Sequence, residues 1–330
     1  MKRALALFLS SLFPFVGPAA SAQTSLSKLE RVQFLGRDYV RLRDWATAND
    51  FKILWLKKDE VVQLTNRSCR FVFAANSRQA QINGVNVWLS FPIAMRGGMG
   101  YIALLDLQTT VQPVAFPSRN TGRMRIKTVV LDPGHGGKDA GIHNGSQQEK
   151  KYTLLLAQEV REQLKRVGLT GLLTRTTDRL VDLSVRADLA RRRGADLFIS
   201  LHFNGAGSSR SEAKGVEVYC LTPVGASSTN ARGESTGARP ARGNRYDGRN
   251  MLLAYQLQES LARMLGAEDR GVRRARFEVL REAVAPAVLI EGGFLSHPVE
   301  GRKIVDPAYR RQMAQAIVEG LLAYKRQVEQ

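Results

Sequence analysis

Cysteine is almost missing from this chain of 330 residues, which has only Cys69 and Cys220. A disulfide scaffold is excluded at that length. Because Cys220 lies inside the strand-like run Gly215-Val-Glu-Val-Tyr-Cys-Leu221, both thiols are expected to be buried and unpaired. Aromatic residues make up 7% and are not interleaved with the arginines, so the stacking platform that single-stranded nucleic acid needs is lacking. Acidic residues are scarce too, 30 against 49 Lys and Arg, which leaves a net charge of +19. That charge asks for an anionic partner; outside the cytoplasm this means a wall polymer or a membrane surface before nucleic acid. Long apolar runs are absent beyond the first twenty or so residues, so no later segment reads as a bilayer span.

The start of the chain supplies the compartment. Lys2-Arg3 precedes an apolar stretch from Ala4 to Val16, and Ala20-Ser21-Ala22 is a small-x-small cleavage signature. Residues 1–22 therefore read as a secretory signal peptide cut before Gln23. The stretch is broken by Pro14 and Gly17 and falls short of the roughly 20 residues a membrane span requires. The mature chain is expected in the periplasm, in the cell envelope or outside the cell.

Residues 23–117 read as a small α+β accessory domain of short strands with turn signals. One internal repeat is visible: Gly36-Arg-Asp-Tyr39-Val40-Arg-Leu42-Arg-Asp44 is echoed by Gly98-Met-Gly-Tyr101-Ile102-Ala-Leu104-Leu-Asp106. Asn83-Gly84, between apolar alternations, marks a hairpin. The stretch contains no histidine, which argues against catalysis there. It resembles the stalk-type domain at the amino end of copper amine oxidases and of many bacterial surface proteins, where such a domain spaces or docks. The polar residues 118–126 read as a linker.

From residue 127 to 330 strand and helix patterns alternate, which predicts an α/β domain with a largely parallel twisted sheet flanked by helices. Apolar stripes predict helices after Glu149 to Val167, from Asp182 to Gly194, over Met251 to Leu265 and over Tyr309 to Val328. Phe277-Glu-Val-Leu280 reads as a short extended run. Thr222 to Arg249 is rich in Gly, Ser and Arg and reads as an irregular surface loop. The competing reading is a lid or wall-docking loop beside the site, since it starts soon after the strand of His202.

Three short apolar runs end in residues with chemistry. Thr128-Val-Val-Leu131 leads through Asp132-Pro-Gly to His135, Leu197-Phe-Ile-Ser-Leu201 leads to His202, and Ala287-Val-Leu-Ile290 leads to Glu291. In parallel sheets functional groups gather at the carboxyl ends of strands. Glu149 joins them where the glycine-rich loop Gly136 to Gly145 gives way to a helix. Two histidines and a glutamate are a standard catalytic zinc set with a fourth position left for water, and zinc lowers the pKa of that water to about 7. Glu291 suits the proton transfers that remain, since a carboxylate ending an apolar run is costly to bury without a reason. Duller explanations exist: Glu149 could merely complement its helix terminus. His143 could compete with His135 but suits an exposed turn, and His297, ahead of Pro298, is expected to face solvent.

These residues also carry a resemblance. Val129-Val-Leu-Asp-Pro-Gly-His-Gly-Gly-Lys-Asp-Ala-Gly141, Glu149, Leu173-Thr-Arg-Thr-Thr-Asp178, Leu183-Ser-Val-Arg186, Ala195-Asp-Leu-Phe-Ile-Ser-Leu-His-Phe-Asn204, Gly215-Val-Glu-Val-Tyr219 and Pro286-Ala-Val-Leu-Ile-Glu-Gly-Gly-Phe-Leu-Ser296 occur in order. Together they resemble the zinc-dependent N-acetylmuramoyl-L-alanine amidases. The resemblance implies cleavage of the bond between the lactyl group of N-acetylmuramic acid and the L-alanine of the stem peptide in peptidoglycan. It implies one zinc ion held by His135, Glu149 and His202, Glu291 as catalytic acid–base, and Asn204 as a substrate contact or a brace for its loop. It also brings in a regulatory activator protein as a partner, because some relatives carry a helix that plugs the site until a partner removes it. Thr222 to Arg249 is a poor helix former for that purpose. Two rival functions remain at this stage: a zinc peptidase of related fold, and an inactive wall-binding protein.

Overall fold

The computed structural model describes residues 26–118, 125–206, 212–229 and 239–329. The signal-peptide reading, most of the linker and the centre of the arginine-rich loop lie outside the described residues.

The N-terminal strands are β1 (Arg31–Phe34), β2 (Arg37–Arg41), β3 (Lys52–Lys57), β4 (Val61–Thr65), β5 (Arg70–Ala74), β6 (Gln79–Ile82), β7 (Val85–Trp88), β8 (Ala94–Arg96) and β9 (Met99–Ala103). They are followed by β10 (Thr128–Pro133), β11 (His143–Asn144), β12 (Gln147–Gln148), β13 (Thr170–Leu173), β14 (Leu197–Asn204), β15 (Val216–Leu221), β16 (Asp269–Ala275) and β17 (Ala287–Phe294). Eleven of them form one sheet in the order β13-β10-β14-β17-β15-β16-β7-β6-β5-β4-β3. β13, β10, β14 and β17 are parallel, β15 reverses against β17, and β16 runs with β15. The N-terminal meander β3–β7 is antiparallel and joins β16 where Val87 lies opposite Val272. The α/β class holds, with parallel strands at the catalytic end, and the sheet as a whole is mixed.

Burial explains why the strands divide this way. β10 and β15 are buried along nearly their whole length, as strands covered on both faces must be. The helices Glu149–Arg166, Asp247–Leu265 and Pro307–Glu329 seal one face through Leu156, Leu257 and Ile317, packed with Val129, Ile199 and Ile290. On the other face Leu183–Arg192 and Glu278–Arg281 pack through Ala190 and Leu280 against Val130, Phe198 and Leu289. In the meander only alternate residues point inward, among them Leu64, Phe71, Phe73 and Ile82, and they belong to the same apolar cluster as Val129 and Ile199. The two copies of the internal repeat meet as β2 and β9, antiparallel, with Val40 opposite Ile102 and Tyr39 opposite Ala103.

Three readings of the sequence are corrected. Phe277 to Leu280 is not extended: Glu278–Arg281 is a helical turn that buries Val279 and Leu280 under the sheet. His297 does not face solvent. It is 9% exposed and caps the helix Pro298–Val305, with Nδ1 accepting from the backbone N–H of Val299 and of Glu300, each at 3.2 Å. A residue ahead of a proline at the first helical position is well placed to cap. Finally, the described parts of the Thr222 to Arg249 segment do not flank the site. Because β15 runs against β17, with Glu217 opposite Glu291 and Tyr219 opposite Leu289, the chain leaves Leu221 at the opposite end of the strands from the site. Part of it is regular as well: Arg242–Tyr246 is a 3-10 turn and Asp247 opens the long helix. Both cysteines are buried and free, as expected.

Candidate metal centre and active site

The site sits at the carboxyl ends of β10, β14 and β17. Its base is a buried polar network. Asp132, 1% exposed, accepts from Thr174 Oγ1 (2.6 Å), Ser200 Oγ (2.9 Å) and Arg186 Nη1 (2.8 Å). The same Arg186 donates to the carbonyls of Pro133 and His135, at 2.8 and 3.0 Å, and Arg175 holds those of Pro133 and Gly134 at 3.0 and 2.8 Å. Two guanidinium groups thus fix the loop that presents His135. The constraint is needed because His135 has φ +60, a left-handed conformation that persists in a non-glycine residue only where its surroundings impose it. Gly134 has its own reason: a Cβ there would lie 2.2 Å from His202 Cε1.

Around this base the sequence-predicted ligands converge. His135 Nε2 lies 3.0 Å from Glu149 Oε2 and His202 Nδ1 lies 3.0 Å from Glu149 Oε1. The imidazole rings are edge to face with centroids 5.0 Å apart. One ligand atom from each of His135, Glu149 and His202 falls within 4.8 Å of the others. Glu149 opens its helix and is 2% exposed, and its carboxylate also accepts from Ile142 N (2.9 Å) and Phe203 N (3.0 Å). Burial works to raise this carboxyl, yet the hydrogen bonds and charge of His135 and His202 bring it down to about 2. A permanently ionised carboxylate between two imidazoles is a donor set that suits zinc. The other nitrogen of His135, Nδ1, meets Asp139 Oδ2 at 2.8 Å, the outer carboxylate that commonly orients a metal-binding histidine.

Glu291 is the direct neighbour of His202 across β14 and β17. Its Oε2 is buried with no hydrogen-bond partner among the described residues. Burial, then the charges of Glu149 and Glu217, push its carboxyl well above the usual range. An orphaned acid beside a metal-type cluster is poised to hold and release a proton. Asn204 is nearby, at an irregularity in the β14–β17 register, and its Nδ2 donates to Glu217 Oε1 at 2.8 Å. His143 is exposed on the β11–β12 hairpin, outside the cluster.

Two residues escaped the sequence reading. Asp139 stands four positions after His135, a spacing that a tight loop can close. Glu217, 3% exposed, lies opposite Glu291 and receives Tyr219 Oη (2.9 Å) and Arg270 Nε (2.9 Å) besides Asn204, with Arg273 Nε also 2.9 Å away. The signal that singled out Glu291, an acid in an apolar strand, was present at Glu217 too.

Comparison with known proteins gives the family. The model of the family described as N-acetylmuramoyl-L-alanine amidase (Amidase_3) matches residues 129–323. The AmiC amidase of Neisseria meningitidis is 34% identical over 241 residues, 66% of this chain and 57% of that protein. The chain thus spans little more than half the length of that relative. AmiA of Escherichia coli is 33% identical over 233 residues, 63% of this chain and 78% of that protein. Among solved structures, an N-acetylmuramoyl-L-alanine amidase from Clostridium difficile superposes with a TM-score of 0.51 at 33% identity, covering 61% of this chain and 97% of that one. The chain belongs to the N-acetylmuramoyl-L-alanine amidase family.

Proposed function

We infer that this chain hydrolyses the amide between the lactyl group of N-acetylmuramic acid and the L-alanine of the stem peptide in peptidoglycan, with one zinc ion held by His135, Glu149 and His202. The observation that carries this reading is the clustering of those three side chains beside the unpartnered carboxyl of Glu291, in a chain of this family. A zinc ion bound there supplies a Lewis acid and a water whose pKa falls to about 7. Glu291 takes the proton from the attacking water and delivers it to the leaving amine of L-alanine; its raised pKa favours the second half of that task. Asp139 orients His135. Asn204 touches substrate through Oδ1, its Nδ2 being held by Glu217.

Export to the periplasm or cell envelope belongs to the same reading, since peptidoglycan lies there. No described helix is long and apolar enough to cross a membrane. A regulatory activator is a further part of it: the CwlD amidase of Clostridioides difficile, 26% identical with a TM-score of 0.50, was solved in complex with the GerS lipoprotein. The N-terminal unit, in keeping with its resemblance to stalk domains, contributes to placement on the wall.

Digestion of purified peptidoglycan is the test. Release of stem peptides with free L-alanine amino termini supports the amidase; cleavage within the stem peptides instead would point to a zinc peptidase. Glu291→Gln should lower turnover by about 10² to 10⁴ while metal stays bound. Near-wild-type hydrolysis by that variant would remove Glu291 from the role assigned to it, and a wild-type chain that binds the polymer without cutting it would be a wall-binding protein.

A further inference from the structure

The junction between the N-terminal meander and the catalytic strands falls on the active-site face. Residues paired across a sheet point the same way. Glu291 is opposite Glu217 on β15, Tyr219 on β15 is opposite Arg273 on β16, and the Arg273 guanidinium lies 5.0 Å from the ring centroid of Trp88 on β7. β7 is three strands from Glu291, roughly 14 Å at the usual strand spacing. The twist between neighbours, about 20–25°, curves that stretch of the face without turning it away.

Arg270 Nε donates to Glu217 Oε2 at 2.9 Å, and Arg273 Nε lies 2.9 Å from the same oxygen. Arg270 is the more open of the two, its side chain 27% exposed. It lies against the Phe294 ring, 4.9 Å from the centroid, and its Nη1 donates to Lys214 O at 3.4 Å. Its Nη2 has no partner among the described residues. The β16 backbone beneath it is fixed from the N-terminal unit, because Trp88 Nε1 donates to Arg270 O at 3.3 Å and Asn86 N and Nδ2 donate to Asp269 Oδ2 and O at 2.7 and 2.8 Å. A guanidinium held at Nε and Nη1, with Nη2 remaining on the active-site face, is arranged to receive a carboxylate.

We propose that Arg270 forms a subsite beside Glu291 for a carboxylate of the stem peptide, and that Trp88 is a positioning residue that holds this subsite in place. The proposal rests on the amidase reading and adds to it a specificity determinant built partly from the N-terminal unit. The residues after L-alanine in a stem peptide offer carboxylates that can also occur as carboxamides, so the subsite separates the two forms.

The experiment compares kcat and KM on a soluble N-acetylmuramoyl peptide with free carboxylates and on its fully amidated analogue, using the full-length chain. Wild type should prefer the free acid by about tenfold or more in kcat/KM. Arg270→Ala should erase the preference by raising KM for the acid alone. Trp88→Ala should weaken it, and Trp88→Phe, which cannot donate to Arg270 O, should weaken it too. Equal kcat/KM for the two substrates in wild type, or an intact preference in Arg270→Ala, overturns the proposal. Cleavage of neither substrate, or of bonds other than the lactyl amide, would instead remove the amidase reading beneath it. Circular dichroism and bound zinc, unchanged in Arg270→Ala, separate loss of recognition from loss of fold.

Discussion

The two ends of the eleven-stranded sheet are built by opposite rules. At one end β10, β14 and β17 are parallel, buried on both faces, and carry His135, His202 and Glu291 at or just past their carboxyl ends. At the other, β3 to β6 alternate inward and outward, keep Phe71 and Phe73 inside, and leave Leu54 56% exposed. The contrast lies in where polar residues are tolerated. Among fully covered strands an ionisable group must be paired, ligated or used, so Asp132, Glu217 and Glu291, like Glu149 at the start of its helix, each carry a specific environment. In β3 to β6 the outward positions stand on the open face and their polar groups need none. Substitutions should therefore act on chemistry at one end and, in β3 to β6, on stability alone at the other.

The largest effect belongs to the ligands. His202→Ala should abolish both bound zinc and turnover, measured by elemental analysis and peptide release, and added zinc should not restore it. Chelation of the wild-type chain should silence it reversibly. Next comes the base of the site: Asp132→Ala strands Arg186 without its buried partner and should cost about 3–5 kcal/mol, with a fall in metal affinity as the His135 loop loosens. Phe71→Ala, in the meander, should cost a similar 3–5 kcal/mol in denaturant unfolding but leave zinc stoichiometry at one. If Phe71→Ala released the metal, the two ends would not be separable in this way. At the bottom of the scale, Leu54→Ser should stay within about 0.5 kcal/mol. Burial pushes the Cys69 thiol up to about 12. Native Cys69 is therefore almost entirely protonated at pH 8 and should resist alkylation until the chain is unfolded, when its pKa falls back toward the ordinary thiol value.

Much of the site was legible because its parts are local: a histidine or glutamate at the end of an apolar run announces itself, and the order of motifs fixed the family resemblance. The side-chain partners were not. Asp139 acts through a turn within its own loop and Glu217 through contacts between elements, and an acid within Gly215-Val-Glu-Val-Tyr219 does not reveal that Asn204, Arg270 and Arg273 will surround it. The strand–helix alternation gave the α/β class, but strand direction is carried by connections rather than by composition. The reversal of β15, which takes Leu221 and the described residues after it away from the site, was therefore hidden. So was the union of meander and catalytic strands, made by the edge pairing of Val87 with Val272. His297 was misjudged because exposure was inferred from the proline beside it, when that proline begins a helix the histidine caps.

The most direct test of the central claim is to measure zinc per chain and the products of a peptidoglycan digest on the same purified sample, before and after chelation. The account predicts one zinc ion per chain, stem peptides released with free L-alanine amino termini, and loss and recovery of both together. Undiminished release of those peptides from a zinc-free sample would contradict it.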